Sequence, residues 1–302
     1  MAQRWFHRRG DLSQGGWESV VDEHVPGWAH TGLRVASVRD GDELALTETG
    51  VERMIVPLAG SFTVVHVEGG RETVTRLRGR RSVFHGPTDV LYLSAAATAV
   101  LRGAGRVAVA TSPTEVVKPT RYLAAEQTPV ELRGAGASSR QVHNFGTPQA
   151  LDAARLIVCE VITPAQNWSS YPPHKHDEHV PGNESRLEEI YYFEAAPVRG
   201  SAAAVDAAFG MFSTYSSPAG DIQIDARVRT GDIALVPYGY HGPAVAAPGY
   251  DLYYLNVMAG PDPERVWLIS DDPAHAWVRD TWAGQGVDAR LPFTAGEDES
   301  VS

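Results

Sequence analysis

Tyr171-Pro172-Pro173-His174-Lys175-His176-Asp177-Glu178-His179 is the stretch of this chain best equipped for chemistry. On an extended strand residues i and i+2 point to one face, so His174 and His176 project together while Lys175 points away. A second segment, Leu187-Glu188-Glu189-Ile190-Tyr191-Tyr192-Phe193, opens a strand with two acids. A third, Gly231-Asp232-Ile233-Ala234-Leu235-Val236-Pro237-Tyr238-Gly239-Tyr240-His241, ends a strand in a Pro/Gly corner that presents a histidine. Neutral imidazoles plus a carboxylate form a mixed N/O donor set that suits Zn²⁺, Mn²⁺, Fe²⁺ or Ni²⁺ and leaves positions open for substrate. His174, His176, Glu189 and His241 are therefore the candidate metal ligands. Glu188 and Glu178 remain alternatives for the carboxylate, with the spacing to the downstream strand favouring Glu189.

The elements that must position these groups are short β-rich runs punctuated by Gly, Pro and Asp. In the first half they are Arg53 to Leu58, Ser61 to Val67, Glu72 to Leu77, Val90 to Leu93 and Arg106 to Ala110. In the second they are Ala154 to Ile162, Ile190 to Phe193, Gly210 to Tyr215, Ile222 to Arg229, Ile233 to Val236 and Tyr250 to Met258. Many short strands at this spacing predict an all-β sandwich or barrel. Gly60, Gly69-Gly70 and Thr230-Gly231-Asp232 read as turns. The segment Ser112 to Gln127, with Pro113 and Pro119, reads as the connection between halves, which places one domain at 1–125 and a second at 126–302. The end, Gly296 to Ser302, reads as a frayed acidic tail.

At 302 residues the chain is long enough for two domains and a substantial core. Its 43% hydrophobic and 21% charged content is that of a globular protein. A net charge of −11 argues against nucleic acid or an anionic membrane as partner, since both need a basic face. An acidic substrate would have to be met by local Arg, Lys or metal charge. The single cysteine, Cys159, sits in an apolar strand and reads as a small buried hydrophobe. The start lacks the apolar stretch of a secretory signal, and no apolar run matches a membrane span, so a cytoplasmic location is expected.

The HxH pair, the downstream Glu and the Pro-x-Gly corner with its His resemble the two motifs of the cupin superfamily. Two departures stand out. Twelve residues separate His176 from Glu189, where cupins have a short spacer, and Ala196 stands where the first motif has Gly. The blocks His174 to Glu178, Leu187 to Tyr192, Val236 to His241 and Tyr250 to Pro261 resemble more narrowly the 5-deoxy-glucuronate isomerase family of myo-inositol breakdown. Asp272-Pro273-Ala274-His275-Ala276-Trp277, Arg133 to Gly136 and Arg140 to Asn144 fit it too. The resemblance implies two cupin (double-stranded β-helix, or jelly-roll) barrels in one chain and an aldose–ketose isomerisation of a small-molecule sugar acid. It also implies one divalent metal ion, Zn or Mn foremost with Fe or Ni as alternatives, and, by analogy with paired cupin barrels, a homo-oligomer. Lys175, Arg140 and Tyr254 are the candidate substrate contacts, with His143 a further cation near Arg140. A cupin dioxygenase and a non-catalytic sugar-acid-binding cupin are the competing readings.

The first half has the strand rhythm without the ligands. Glu52 ahead of Val56-Pro57-Leu58-Ala59-Gly60 echoes the first motif, but Thr47-Glu48-Thr49 stands where HxH would be. That half is expected to hold no metal and to serve packing.

Overall fold

Residues 4–295 are described by the structure, a computed structural model. The acidic stretch 296–302 lies outside them.

Three antiparallel sheets make up nearly all of the regular structure. The first half builds an eight-stranded sheet in the order Ser19–Val21, Gly32–Val38, Thr98–Pro113, Val51–Glu68, Val90–Leu93 and Arg121–Leu123, with Glu43–Leu46 and Arg71–Arg80 attached at its sides. The second half builds two. One runs Phe6–His7, Ile233–Val236, Glu188–Pro197, Tyr250–Ala259, Ile157–Thr163, Arg140–Gly146, Val130–Arg133. The other runs Gly220–Val228, Gly210–Ser217, Tyr240–Ala246, His174–Lys175, Ser270–Asp271, with Trp168–Ser169 paired to Tyr240–Ala246. The all-β expectation holds. The chain changes sheets between Leu123 and Val130, but Phe6–His7 returns to pair with Ile233–Val236 of the second half.

Alternation along the central strands explains why the two halves cohere. Met54, Val56 and Leu58 point into a core shared with the second half, while Ile55, Phe62 and Val64 fill a separate core inside the first. Strand Glu188–Pro197 behaves likewise: a two-residue side-chain period gives one face to the barrel interior and the other to the partner half. Burying apolar area on both faces, at about 25 cal/mol per Å², is what holds the halves together, and it suits strands that read as near-continuous hydrophobic runs.

One predicted turn is not a turn. Gly60 lies inside the continuous strand Val51–Glu68, where the register to Arg71–Arg80 shifts between Gly60 and Phe62. Its φ is +84°, and a Cβ there would come within 2.0 Å of the Ala104 carbonyl oxygen. The glycine marks a bulge with close backbone approach, the other meaning of a Gly inside a strand pattern. The expected connection also holds structure: strand Arg121–Leu123 pairs with Val90–Leu93.

Candidate metal centre

His174 and His241 are register partners on neighbouring strands, so their side chains emerge together from one sheet. Their ring centroids are 4.5 Å apart, and His176 and His241 are 4.7 Å apart. Glu189 reaches the same point from the opposing sheet, with Oε2 3.1 Å from both His176 Nε2 and His241 Nε2. His176, Glu189 and His241 bring ligand atoms within 4.8 Å of one another, and His174, 6.4 Å by ring centroid from His176, completes the cluster. All four side chains are buried.

Each imidazole is oriented through its other nitrogen. Nδ1 of His174, His176 and His241 faces the carbonyl oxygens of Pro172 (3.3 Å), Leu187 (3.0 Å) and Gly239 (3.2 Å). A carbonyl only accepts, so each Nδ1 carries a proton and each ring, when neutral, presents its Nε2 lone pair. Second-partner bonds of this kind are how proteins aim histidines at a metal. Nε2 of His241 is buried without a hydrogen-bond partner despite its closeness to Glu189. A carboxylate surrounded by inward-aimed lone pairs calls for a cation, and the residues present fit a divalent metal.

The electrostatics agree. Burial would raise the Glu189 carboxyl, but His176 and His241 outweigh it and hold the group down at about 2. Burial and the two neighbouring histidines push His174 well below its ordinary value, which keeps it neutral and ligating. Burial opposes the charge on His176 too, but its contact with Glu189 raises it, so without a cation its Nε2 shares a proton with Glu189 that a bound metal would displace.

The twelve-residue insert is looped out without disturbing the site. The amide of Leu187 donates to the His176 carbonyl at 2.9 Å while the His176 ring donates back to the Leu187 carbonyl, closing the loop at its base. Lys175 explains the insert's internal order and corrects an expectation. Its buried ammonium donates to Asp177 (2.8 Å), Glu178 (2.9 Å) and Glu184 (2.9 Å) on the side away from the histidines, so it is not offered to a substrate. Asp177 in turn accepts from the Gly239 amide at 2.8 Å, tying the HxH segment to the Pro-x-Gly corner. Gly239 has φ +94°, and a Cβ there would meet Ile222 Cγ2 at 2.4 Å. The alternative carboxylates are accounted for: Glu178 serves Lys175, and Glu188 points into the first half, accepting from the amides of His30 and Thr31 at 2.6 Å.

His174 and Glu189 form one side of a cavity of about 220 Å³. Arg140 and Tyr254, both expected as substrate contacts, line it. So do Arg133, Arg279, Tyr191, Ser170 and Asn256, which sequence reasoning did not assign to it. Arg133 is paired with Glu131 at 2.7 Å and Arg279 with Asp271 at 2.7 Å. Arg140 has no carboxylate partner among the described residues. It donates to the Ser138 carbonyl at 3.0 Å and lies 5.5 Å from the Trp282 ring centroid. Burial, with Arg133 and Arg279 nearby, brings its pKa down to about 10, so it is charged at neutral pH. Ser170 has φ +48° and shares a 2.9 Å hydrogen bond with the Tyr191 hydroxyl. Such left-handed non-glycine residues concentrate at functional sites.

His143, grouped with Arg140 on sequence, faces the other side of the sheet. It bonds Glu160 at 2.6 Å, in a network completed by Arg80 (2.7 Å) and Tyr253 (2.8 Å). His179 pairs with Asp262 at 3.2 Å on the surface of the insert. Cys159 is fully buried, which pushes its thiol far up and leaves it an inert hydrophobe.

The family model described as KduI/IolB family matches residues 5–278. The chain belongs to the KduI/IolB family. Among its relatives, the 5-deoxy-glucuronate isomerase of Geobacillus thermodenitrificans is 36% identical over 271 residues, covering 86% of this chain and 90% of that protein. The 5-deoxy-glucuronate isomerase of Bacillus subtilis strain 168 is 40% identical over 232 residues, covering 75% and 79%. A solved family structure, an IolB-like protein from Salmonella typhimurium LT2, superposes with a TM-score of 0.79 at 30% identity, covering 91% of this chain and 98% of the other. The oxalate decarboxylase of Lactobacillus farciminis superposes at 0.61 with 10% identity, covering 88% of each chain, a likeness of fold alone. This KduI/IolB chain is thus an all-β protein of two cupin barrels. No helix among its described residues is long and apolar enough to cross a membrane.

Proposed function

We propose that this protein is an aldose–ketose isomerase that converts 5-deoxy-D-glucuronate to 5-dehydro-2-deoxy-D-gluconate, using one divalent metal ion, Zn²⁺ or Mn²⁺ foremost, held by His174, His176, Glu189 and His241. The observation that carries the reading is a single cavity with two chemistries. His174 and Glu189 line one side of it, with His176 and His241 gathered on the same carboxylate, and the wall presents Arg140, a buried cation without an acidic partner among the described residues. The relatives named above supply the substrate.

Isomerisation moves hydrogen between adjacent carbons while charge builds on the substrate oxygens. When bound, the divalent ion supplies Lewis-acid polarisation of those oxygens and a positive field within a chain of net charge −11. The protein's own groups do the rest. Arg140 binds the substrate carboxylate, because a guanidinium offers paired donors that match it. That contact fixes which end of the molecule faces the ligand cluster, and correct placement alone is worth a large part of such a barrier. Burial and the nearby Glu189 push the Tyr191 hydroxyl well above its usual range, so it stays protonated and can donate to a substrate oxygen. Tyr254, pushed up to about 12 chiefly by burial, behaves likewise.

The division at 125/126 into a first barrel that holds no metal and a second that works belongs to the same proposal. Its support is the change of sheet between Leu123 and Val130.

The test is proton NMR of 5-deoxy-D-glucuronate in D₂O with metal-supplemented protein and an EDTA-treated control. Loss of the hydrated-aldehyde signal, growth of a ketose and sensitivity to EDTA are expected. An unchanged spectrum at verified metal occupancy would discard the substrate, and oxygen uptake during turnover would move the protein to a dioxygenase class.

A further inference from the structure

Asn256 sits on strand Tyr250–Ala259, two residues beyond Tyr254 on the same inward face. The registers place it opposite Tyr191 on one neighbouring strand and opposite Cys159 on the other. It is 3% exposed and lines the cavity with His174 and Glu189. Among the described residues its Oδ1 has only the weak thiol donor of Cys159, at 4.0 Å, and its Nδ2 has no partner. A buried amide left in this state forgoes the hydrogen bonds it had in water, on a strand face whose other buried positions are Leu252, Tyr254 and Met258. Trp267 repeats the pattern: its Nε1 is buried without a partner, and the residue lines the same cavity under the Arg133 guanidinium.

Away from the metal-ligand cluster the cavity wall is thus rich in donors, with Asn256 Nδ2 and Trp267 Nε1 left without partners among the described residues. Its Ser170 and Tyr191 hydroxyls are bonded to each other. What fills it must bring acceptor oxygens. Asn256 is at the ligand-cluster end, since its neighbour Met258 is the register partner of Glu189. We infer that the Asn256 side-chain amide is a specificity-determining group that hydrogen-bonds a hydroxyl or carbonyl oxygen at the reacting end of a polyhydroxy acid, while Arg140 holds the carboxylate at the other. This rests on the isomerase reading. A site built around an amide of this kind rejects analogues that lack the matching oxygen, because the buried group is then left unpaired.

The experiment compares wild type with Asn256→Leu, which keeps the branched shape without the polar atoms, and Asn256→Ala, in metal-supplemented full-length protein. Metal content and melting temperature are recorded for each. Calorimetric binding of D-gluconate and of hexanoate, a chain of equal length without hydroxyls, is measured beside isomerase kinetics. Wild type should prefer gluconate. Both variants should lose about 10- to 100-fold in gluconate affinity and in kcat/KM, keep their metal, and bind hexanoate as wild type does. An unchanged gluconate-to-hexanoate ratio in metal-replete variants would overturn the role of Asn256 while wild-type turnover left the isomerase reading intact. A wild type that neither binds gluconate nor turns over 5-deoxy-D-glucuronate would overturn both. If Asn256→Leu does not fold, the Asn256→Ala comparison decides.

Discussion

Strand Val51–Glu68 of the first half and strand Glu188–Pro197 of the second can be laid over one another through their registers. Arg53 pairs with Leu93 and Thr111, as Glu189 pairs with Val236 and Met258. Glu52 pairs with Ser112, as Glu188 pairs with Ala259. Arg53 therefore occupies in the first barrel the place that Glu189 holds in the second, and Glu52 answers to Glu188 rather than to the ligand. Both interior positions bury a charge, and they satisfy it differently. The Arg53 guanidinium, 1% exposed, donates to the carbonyls of Val51 (3.0 Å), Ala97 (3.2 Å) and Glu48 and meets the Glu48 carboxylate at 3.3 Å. A cation covalently part of the chain fills that barrel. In the second barrel the carboxylate and the aimed Nε2 lone pairs are all acceptors, so the complementary charge has to come from outside.

The companion acids are used reciprocally. Glu52 accepts from the amides of Ala154 (2.7 Å), Arg155 (2.6 Å) and Leu156 (2.7 Å) in the second half, and from the Tyr92 hydroxyl at 2.6 Å. Glu188 accepts from the amides of His30 and Thr31 and the Thr31 hydroxyl in the first half. One residue of each pair faces its own barrel and the next faces the partner, as strand alternation requires.

The largest expected effect falls on the second barrel. His176→Ala or His241→Ala should lose metal, by elemental analysis, and isomerase turnover by about a thousandfold or more, since the ion supplies several kcal/mol of stabilisation. The far-UV spectrum should be unchanged. Full activity without metal would break the comparison. Arg53→Met should leave buried carbonyls and Glu48 unanswered and destabilise the protein by about 3–5 kcal/mol in urea unfolding, with metal still at one ion per chain. Two ions per chain in wild type would refute the reading of Arg53 as the first barrel's built-in cation.

Glu52→Ala and Glu188→Ala should each cost about 2–3 kcal/mol and keep the metal. Loss of metal in Glu188→Ala alone would reassign the ligand. The smallest effect is acid-side. Burial would raise Glu160, but Arg80 and His143 outweigh it and hold its pKa at about 2 in the folded state. A depressed carboxyl adds stability that is complete above its unfolded pKa, about 4.3, and is lost as pH falls towards 2. Urea midpoints should therefore drop across that window. In Arg80→Met the carboxyl keeps only His143 and Tyr253 against its burial, and the acid-side drop should shrink.

Much of the candidate site was legible because its residues are local signals. HxH on a strand, an acid opening the next strand and a histidine on a Pro-x-Gly corner each follow from spacing. The cavity wall was less legible. Arg279 and Trp267 come from the irregular C-terminal stretch, with no periodicity to tie them to His174. Asn256 and Tyr254 shared a face by alternation, but nothing in the chain said which face was the cavity. Lys175 shows the limit from the other side: its neighbours in sequence suggested the site, yet alternation turned it outward into three carboxylates.

By itself, the sequence determined the all-β character, the histidines and the acidic strand start that could hold a metal, and the sign of charge an acidic substrate would need, because strand periodicity and side-chain chemistry act over a few residues. Tertiary structure alone decided that Glu189 and not Glu188 faces the histidines. It also decided that Arg53 stands in the first barrel where Glu189 stands in the second, and that Arg140 lines the cavity without a carboxylate partner among the described residues. Those outcomes depend on register between strands far apart in the chain, and a one-residue step in register sends a side chain to the opposite face of the sheet.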